Sequence, residues 1–110
     1  MIKTYNKLVR DNIPDIIKNN GENPITRILT NEEYKQELEK RLYEEYQEVL
    51  ESSGKDRIEE LADMLEVIKS LAKLEDKCLE DIITAANQKN SKRGAFNDKI
   101  FLEKVITNNK

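Results

Sequence analysis

Apolar residues recur at helical intervals through the middle of this chain. Tyr34, Leu38, Leu42 and Val49 form one stripe, and their spacing predicts a long helix ending near Glu51. Thr30 or Asn31 caps its start, and Glu32 and Glu33 suit the positive end of the helix dipole. Ser52, Ser53 and Gly54 make a turn. A second helix is expected from about Asp56 to Lys73, where Ile58, Leu61, Met64, Leu65, Val67, Ile68 and Leu71 cover more than one face. A helix apolar on two faces packs on two sides. A third is expected from about Leu74 to Lys89, carrying Leu79, Ile82, Ile83, Ala85 and Ala86. The connections are short, so the two long helices should run antiparallel.

The ends of the chain are less regular. Pro14 suits the first turn of a short helix capped by Asn12 and ended by Asn19, Asn20 and Gly21. Pro24 to Leu29 is short and β-prone, and Phe96 to Val105 holds Phe96, Ile100, Phe101, Leu102 and Val105. The expected class is therefore all-α, an antiparallel helical bundle in a single domain over 1–110. It leaves room for a minor pairing of Pro24–Leu29 with Phe96–Leu102 as two short strands.

One residue breaks the apolar stripe of the first long helix. At roughly 100° per residue, Glu45 falls between Leu42 and Val49 on the core-facing side. A charge placed there is costly unless something pairs with it. Glu48 follows on the same face, and the second helix offers Glu60 and Asp63 at the same i,i+3 spacing. In a chain rich in glutamate, one such pair is ordinarily a solvated surface. Two pairs on adjacent helices, each about two turns from a shared loop, lie side by side. Carboxylates that face one another call for a hard divalent cation.

Composition narrows the classes. Hydrophobic residues make up 37% of the 110 and charged residues another 37%. That is lean for a single-chain core, so burial through self-association is expected. The net charge of −3 is no footprint for nucleic acid. There is no histidine, which removes His-type zinc sites and every Ser-His or Cys-His mechanism. The single cysteine, Cys78, reads as a small buried or half-buried hydrophobe. No apolar run is long enough for a membrane span, and the N-terminus lacks a signal-peptide apolar region. The expected setting is the cytoplasm.

Two basic groups are candidate phosphate holders: Lys89, Lys92 and Arg93 near the end, and Lys7 and Arg10 near the start. The first group also suits a helix C-terminus. Lys40 is expected on the solvent side of the first long helix. Tyr43, Tyr46 and Phe96 could stack on a base, although aromatic residues at helical spacing are more often core. The glycines are isolated, so there is no Gly-rich phosphate loop.

Glu44-Glu45-x-x-Glu48 followed by Glu60-x-x-Asp63 resembles the signature of the all-α nucleoside triphosphate pyrophosphohydrolases, the MazG-like group that includes phosphoribosyl-ATP pyrophosphohydrolase. Tyr5 to Pro14, which reads YNKLVRDNIP, resembles the N-terminal box of a small MazG-like subgroup. Lys92-Arg93-Gly94-Ala95-Phe96 resembles its C-terminal box. The likeness spans nearly the whole chain with its motifs in order. Asn12 stands where a lysine is common, and Ala95 where a second glycine is common.

The resemblance implies Mg²⁺-dependent cleavage of a nucleoside triphosphate between the α- and β-phosphates, giving monophosphate and pyrophosphate. Mn²⁺ is an alternative ion. It also implies a helical core completed by a dimer or tetramer. Glu45, Glu48, Glu60 and Asp63 would ligate the metal, and Glu44 would serve as base or support, with Glu59 a second candidate. Lys89, Lys92 and Arg93 would hold the triphosphate, with Lys7 and Arg10 as a second set. Two alternatives stay open: an enzyme acting on phosphoribosyl-ATP, and a non-catalytic helical dimer that binds nucleotide or metal.

Overall fold

The computed structural model describes residues 1–107. The chain resolves into two compact units, the first spanning Met1–Leu79 and the second beginning at Glu80. Among the described residues the structure is all-helical, with α1 at Ile13–Asn19, α2 at Asn31–Glu51, α3 at Gly54–Leu74 and α4 at Leu79–Arg93.

The first unit is built on the α2–α3 hairpin, and these two helices pack against each other. Local chemistry sets where α2 begins. The Thr30 hydroxyl accepts from the Glu33 backbone N–H at 3.2 Å, and the Glu33 carboxylate accepts from the Thr30 N–H at 3.0 Å. That reciprocal cap satisfies two otherwise orphaned donors. Arg27 adds a bidentate pair to the same Glu33 carboxylate, at 3.0 and 3.2 Å. Together these bonds hold the Glu33 carboxyl down at about 2.

Only Ser52 and Ser53 separate α2 from α3, so the chain reverses at once. Gly54, expected in the turn, is instead the first residue of α3. Its φ of +57° is a left-handed conformation that favours glycine. The core between the helices is thin. Leu38 and Val49 come from α2, and Val67 and Ala72 from α3. Tyr34 and Leu42, the other members of the α2 stripe, are half-buried.

The opposite faces stay open. Tyr43, Tyr46 and Leu50 on α2 are exposed, as are Ile58, Leu61 and Leu65 on α3. The two-sided apolar pattern of α3 is thus used on one side only within this chain.

Two expectations need correction. The third long helix starts at Leu79, not Leu74, because α3 runs through Leu74 and its end is wrapped. Lys77 N–H bonds back to the Ala72 carbonyl at 3.0 Å, and Asp76 has a φ of +57°, which breaks helical continuation. Cys78 falls in this break and is exposed, not buried. The strand pairing is also absent. Neither Pro24–Leu29 nor Phe96–Leu102 is a strand among the described residues. Ile25, Ile28 and Phe96 are almost wholly exposed, and an isolated pair of short strands has too little to bury.

In the second unit, α4 has no buried residue and carries Ile82 and Ile83 on its surface. It runs past the expected Lys89 to Arg93. There Gly94, at φ +80°, donates its N–H to the Asn90 carbonyl and ends it. Among the described residues, no helix is long and apolar enough to cross a membrane.

Candidate metal centre

The α2–α3 hairpin brings together carboxylates that are separate in sequence. One carboxylate oxygen each from Glu45, Glu60 and Asp63 lies within 4.8 Å of the other two. Glu45 is 2% exposed, and Glu60 and Asp63 are half-buried. Oxygens within 4.8 Å of one another share a point roughly 2.8 Å from each, against about 2.0–2.1 Å for Mg²⁺–oxygen and about 2.3–2.6 Å for Ca²⁺–oxygen bonds. The side chains would close by up to a few tenths of an ångström around Ca²⁺ and by up to about 0.7 Å around Mg²⁺.

Glu45 is held in place by its own helix. Arg41, one turn earlier, places Nη2 2.8 Å from Glu45 Oε1 and Nη1 3.6 Å from Glu44 Oε2. The other Glu45 oxygen, Oε2, is buried and has no hydrogen-bond partner, and the same is true of Glu60 Oε2. Buried polar atoms are nearly always satisfied, so each such orphan asks for an explanation. A cation set among these carboxylates would supply one. The donor set is all oxygen, as Mg²⁺, Ca²⁺ and Mn²⁺ prefer.

Crowding of like charges shows in the proton affinities. The Glu60 carboxyl is pushed up to about 7. The largest cause is a hydrogen bond with Glu48, followed by burial and then the charges of Glu48, Asp63 and Glu45. Burial raises the Glu45 carboxyl as well, aided by the negative charge of Glu48 and opposed by Arg41. A cluster that tightens its hold on protons is one that lacks positive charge.

Glu48 itself is exposed and lies outside the tight trio, pressing on both Glu45 and Glu60. Glu44 is half-buried on the adjoining wall, and Glu59 is exposed. A groove of about 430 Å³ runs along this edge of α2, lined by Tyr5, Lys7, Lys40, Glu44, Gln47 and Glu48 among others. Lys7 is thus brought beside the acidic residues, as is Arg10, whose Nη2 lies 2.7 Å from Asp63 Oδ1. Lys40 is exposed as expected but forms part of the groove wall. Tyr43 and Tyr46 are exposed, with ring centroids 6.3 Å apart.

In the second unit, Lys89, Lys92 and Arg93 share one side of α4, lining a shallow depression with Ala85 and Gln88. The sequence reading passed over Arg41, although its i,i+4 spacing to the inward Glu45 was a readable signal. It also left the Arg10–Asp63 pair unseen, since no local spacing joins residues so far apart. Comparison with family models, curated proteins and solved structures yields no match to this chain.

Proposed function

We propose that this chain is a MazG-like nucleoside triphosphate pyrophosphohydrolase, cleaving between the α- and β-phosphates with Mg²⁺ or Mn²⁺. One observation carries the reading. Glu45, Glu60 and Asp63 converge from two helices, and Glu45 and Glu60 each bury an oxygen with no hydrogen-bond partner. The motif resemblance supplies the substrate class.

Glu45, Glu60 and Asp63 would hold the ion, and Glu48 would extend the set toward the groove. A bound divalent ion neutralises phosphate charge and lowers the pKa of water. Arg41 fixes the orientation of Glu45 through the 2.8 Å bond, so the buried carboxylate cannot swing away. Glu44, half-buried on the groove wall, would accept the proton of the attacking water. As the new oxygen–phosphorus bond forms, the α–β anhydride bond breaks and pyrophosphate leaves. Lys7 and Arg10 meet the anionic tail from the N-terminal side. Lys89, Lys92 and Arg93 form a second cationic set on α4.

The exposed apolar stripes on α2 and α3 support a homodimer or tetramer, in which a second copy covers what this chain leaves open. The cytoplasm is the proposed setting.

The test is direct. Purified protein is incubated with Mg²⁺ and a broad nucleotide panel that includes phosphoribosyl-ATP, and pyrophosphate and monophosphate are quantified. Pyrophosphate from nucleoside triphosphates is the expected result. Turnover of phosphoribosyl-ATP alone reassigns the substrate. Binding without turnover across the panel makes the protein a non-catalytic nucleotide or metal binder.

A further inference from the structure

We propose that Arg10 is a displaceable counter-ion of the acidic centre. It holds Asp63 when no divalent cation is bound, and it yields the carboxylate and turns to the anionic substrate when one arrives. This inference rests on the metal reading above. It deepens that reading by assigning to the N-terminal segment a response to metal.

The geometry is specific. Arg10 precedes α1, and its contact with Asp63 spans 53 positions of sequence. The contact is a single short bond, Nη2 to Oδ1 at 2.7 Å, with the two side chains 55% and 43% exposed. A guanidinium has five donors in a planar fork that suits phosphate oxygens. Here one donor is engaged with Asp63, which leaves much of the fork available for an anion. The bond reaches a carboxylate that shares a 4.8 Å cluster with Glu45 and Glu60. Arg10 therefore brings one positive charge to the outer edge of a negative site. The inner oxygens, Glu45 Oε2 and Glu60 Oε2, are buried beyond any hydrogen-bond partner. The guanidinium thus compensates the cluster only in part.

A divalent ion brings twice the charge and reaches all three carboxylates. Once it is seated, the ion and the Arg10 guanidinium are like charges a few ångströms apart, and they repel. The exposed ion pair is the weaker of the two interactions, so the arginine is the group that moves. The backbone around it allows movement. Residues 1–10 form no regular secondary structure, and almost all of them are exposed. A freed guanidinium beside a loaded metal site and the Lys7 groove faces the position where a polyphosphate would lie.

Mn²⁺ affinity, measured by calorimetry on the full chain, separates the outcomes. The variants are Arg10→Ala, Lys3→Ala and Glu45→Gln. Lys3→Ala removes the same charge from the same segment without touching Asp63. Displacement expects Arg10→Ala to bind Mn²⁺ about three- to fivefold more tightly than wild type, the size of one exposed ion pair, and Lys3→Ala to stay within about 1.5-fold. Equal or weaker binding by Arg10→Ala overturns the proposal, since the arginine would then support the loaded site. If wild type takes up no more Mn²⁺ than Glu45→Gln, the metal reading itself falls, and this inference with it.

Hydrogen exchange gives a second readout. In wild type, residues 5–12 are expected to exchange faster when Mn²⁺ is added. In Arg10→Ala they are expected to exchange fast from the start. Unchanged exchange in wild type upon Mn²⁺ binding also overturns displacement.

Discussion

Arg41 and Glu45 lie one turn apart on α2, and the guanidinium holds the buried carboxylate at 2.8 Å. The pair orients Glu45 while leaving its second oxygen turned into the acidic cluster without a partner. One oxygen thus anchors the side chain, and the other is left without a hydrogen-bond partner. Arg41→Met would strand a buried carboxylate, at a cost of about 2 kcal/mol in chelated protein. The loss is expected as a lower melting temperature in EDTA, with Mg²⁺ restoring part of it. Equal melting of the variant and wild type in EDTA would show that Arg41 does not support the site.

The trio should trade stability for metal binding. Glu60→Gln removes one of several crowded negative charges without changing side-chain size. Chelated Glu60→Gln is expected to melt above chelated wild type at pH 8, yet to gain little from millimolar Mg²⁺. Wild type should gain clearly, because the unfolded chain lacks the converged site. A full Mg²⁺ response in the variant would remove Glu60 from the ligand set.

The pH dependence of stability follows from the same crowding. Glu60 titrates at about 7 in the folded chain, against 4.5 for an ordinary carboxyl. Between those values the folded state holds a proton that the unfolded state has released. Stability in EDTA therefore falls as pH rises through this window and levels off above it. A hydrogen bond with Glu48 and burial drive the effect, and the charges of Glu48, Asp63 and Glu45 add to it. Mg²⁺ requires the ionised carboxylate, so its stabilising effect should grow with pH over the same range. Denaturant titrations should show stability falling with pH in EDTA and staying nearly level in Mg²⁺, and parallel slopes would contradict this account.

Asp63→Asn keeps the size of the side chain and its place on α3 but removes a charge from the trio. Pyrophosphate release is expected to fall by orders of magnitude with an unchanged helical CD spectrum. Lys55→Ala, exposed at the start of α3, is the control and should leave turnover near the wild-type value. Near-full turnover by Asp63→Asn would end the proposed role of this residue.

The cap of α2 offers a test of folding without chemistry. Thr30→Ala removes one half of the reciprocal bond with Glu33 and should cost about 1 kcal/mol. Turnover measured well below the melting point should be unaffected.

The helices were legible from the sequence because their causes are local. The Thr30–Glu33 cap lies within four residues, and the stripe of Leu38, Glu45 and Val49 is a matter of one helix and its period. Even the inward turn of Glu45 follows from that period alone, as does the likelihood that a second acidic face would come to meet it across a short loop. Tertiary structure decided the rest. Which carboxylates form the tight trio depends on how α3 rotates against α2, and this rotation left Glu48 at the edge while drawing in Asp63. Packing also left Ile58, Leu61 and Leu65 open, although the sequence marks both faces of α3 as apolar without saying which is covered. The Arg10–Asp63 pair was the least legible of all. It depends on the path of an irregular segment, and no repeat or capping rule links an arginine ahead of α1 to a carboxylate in the middle of α3.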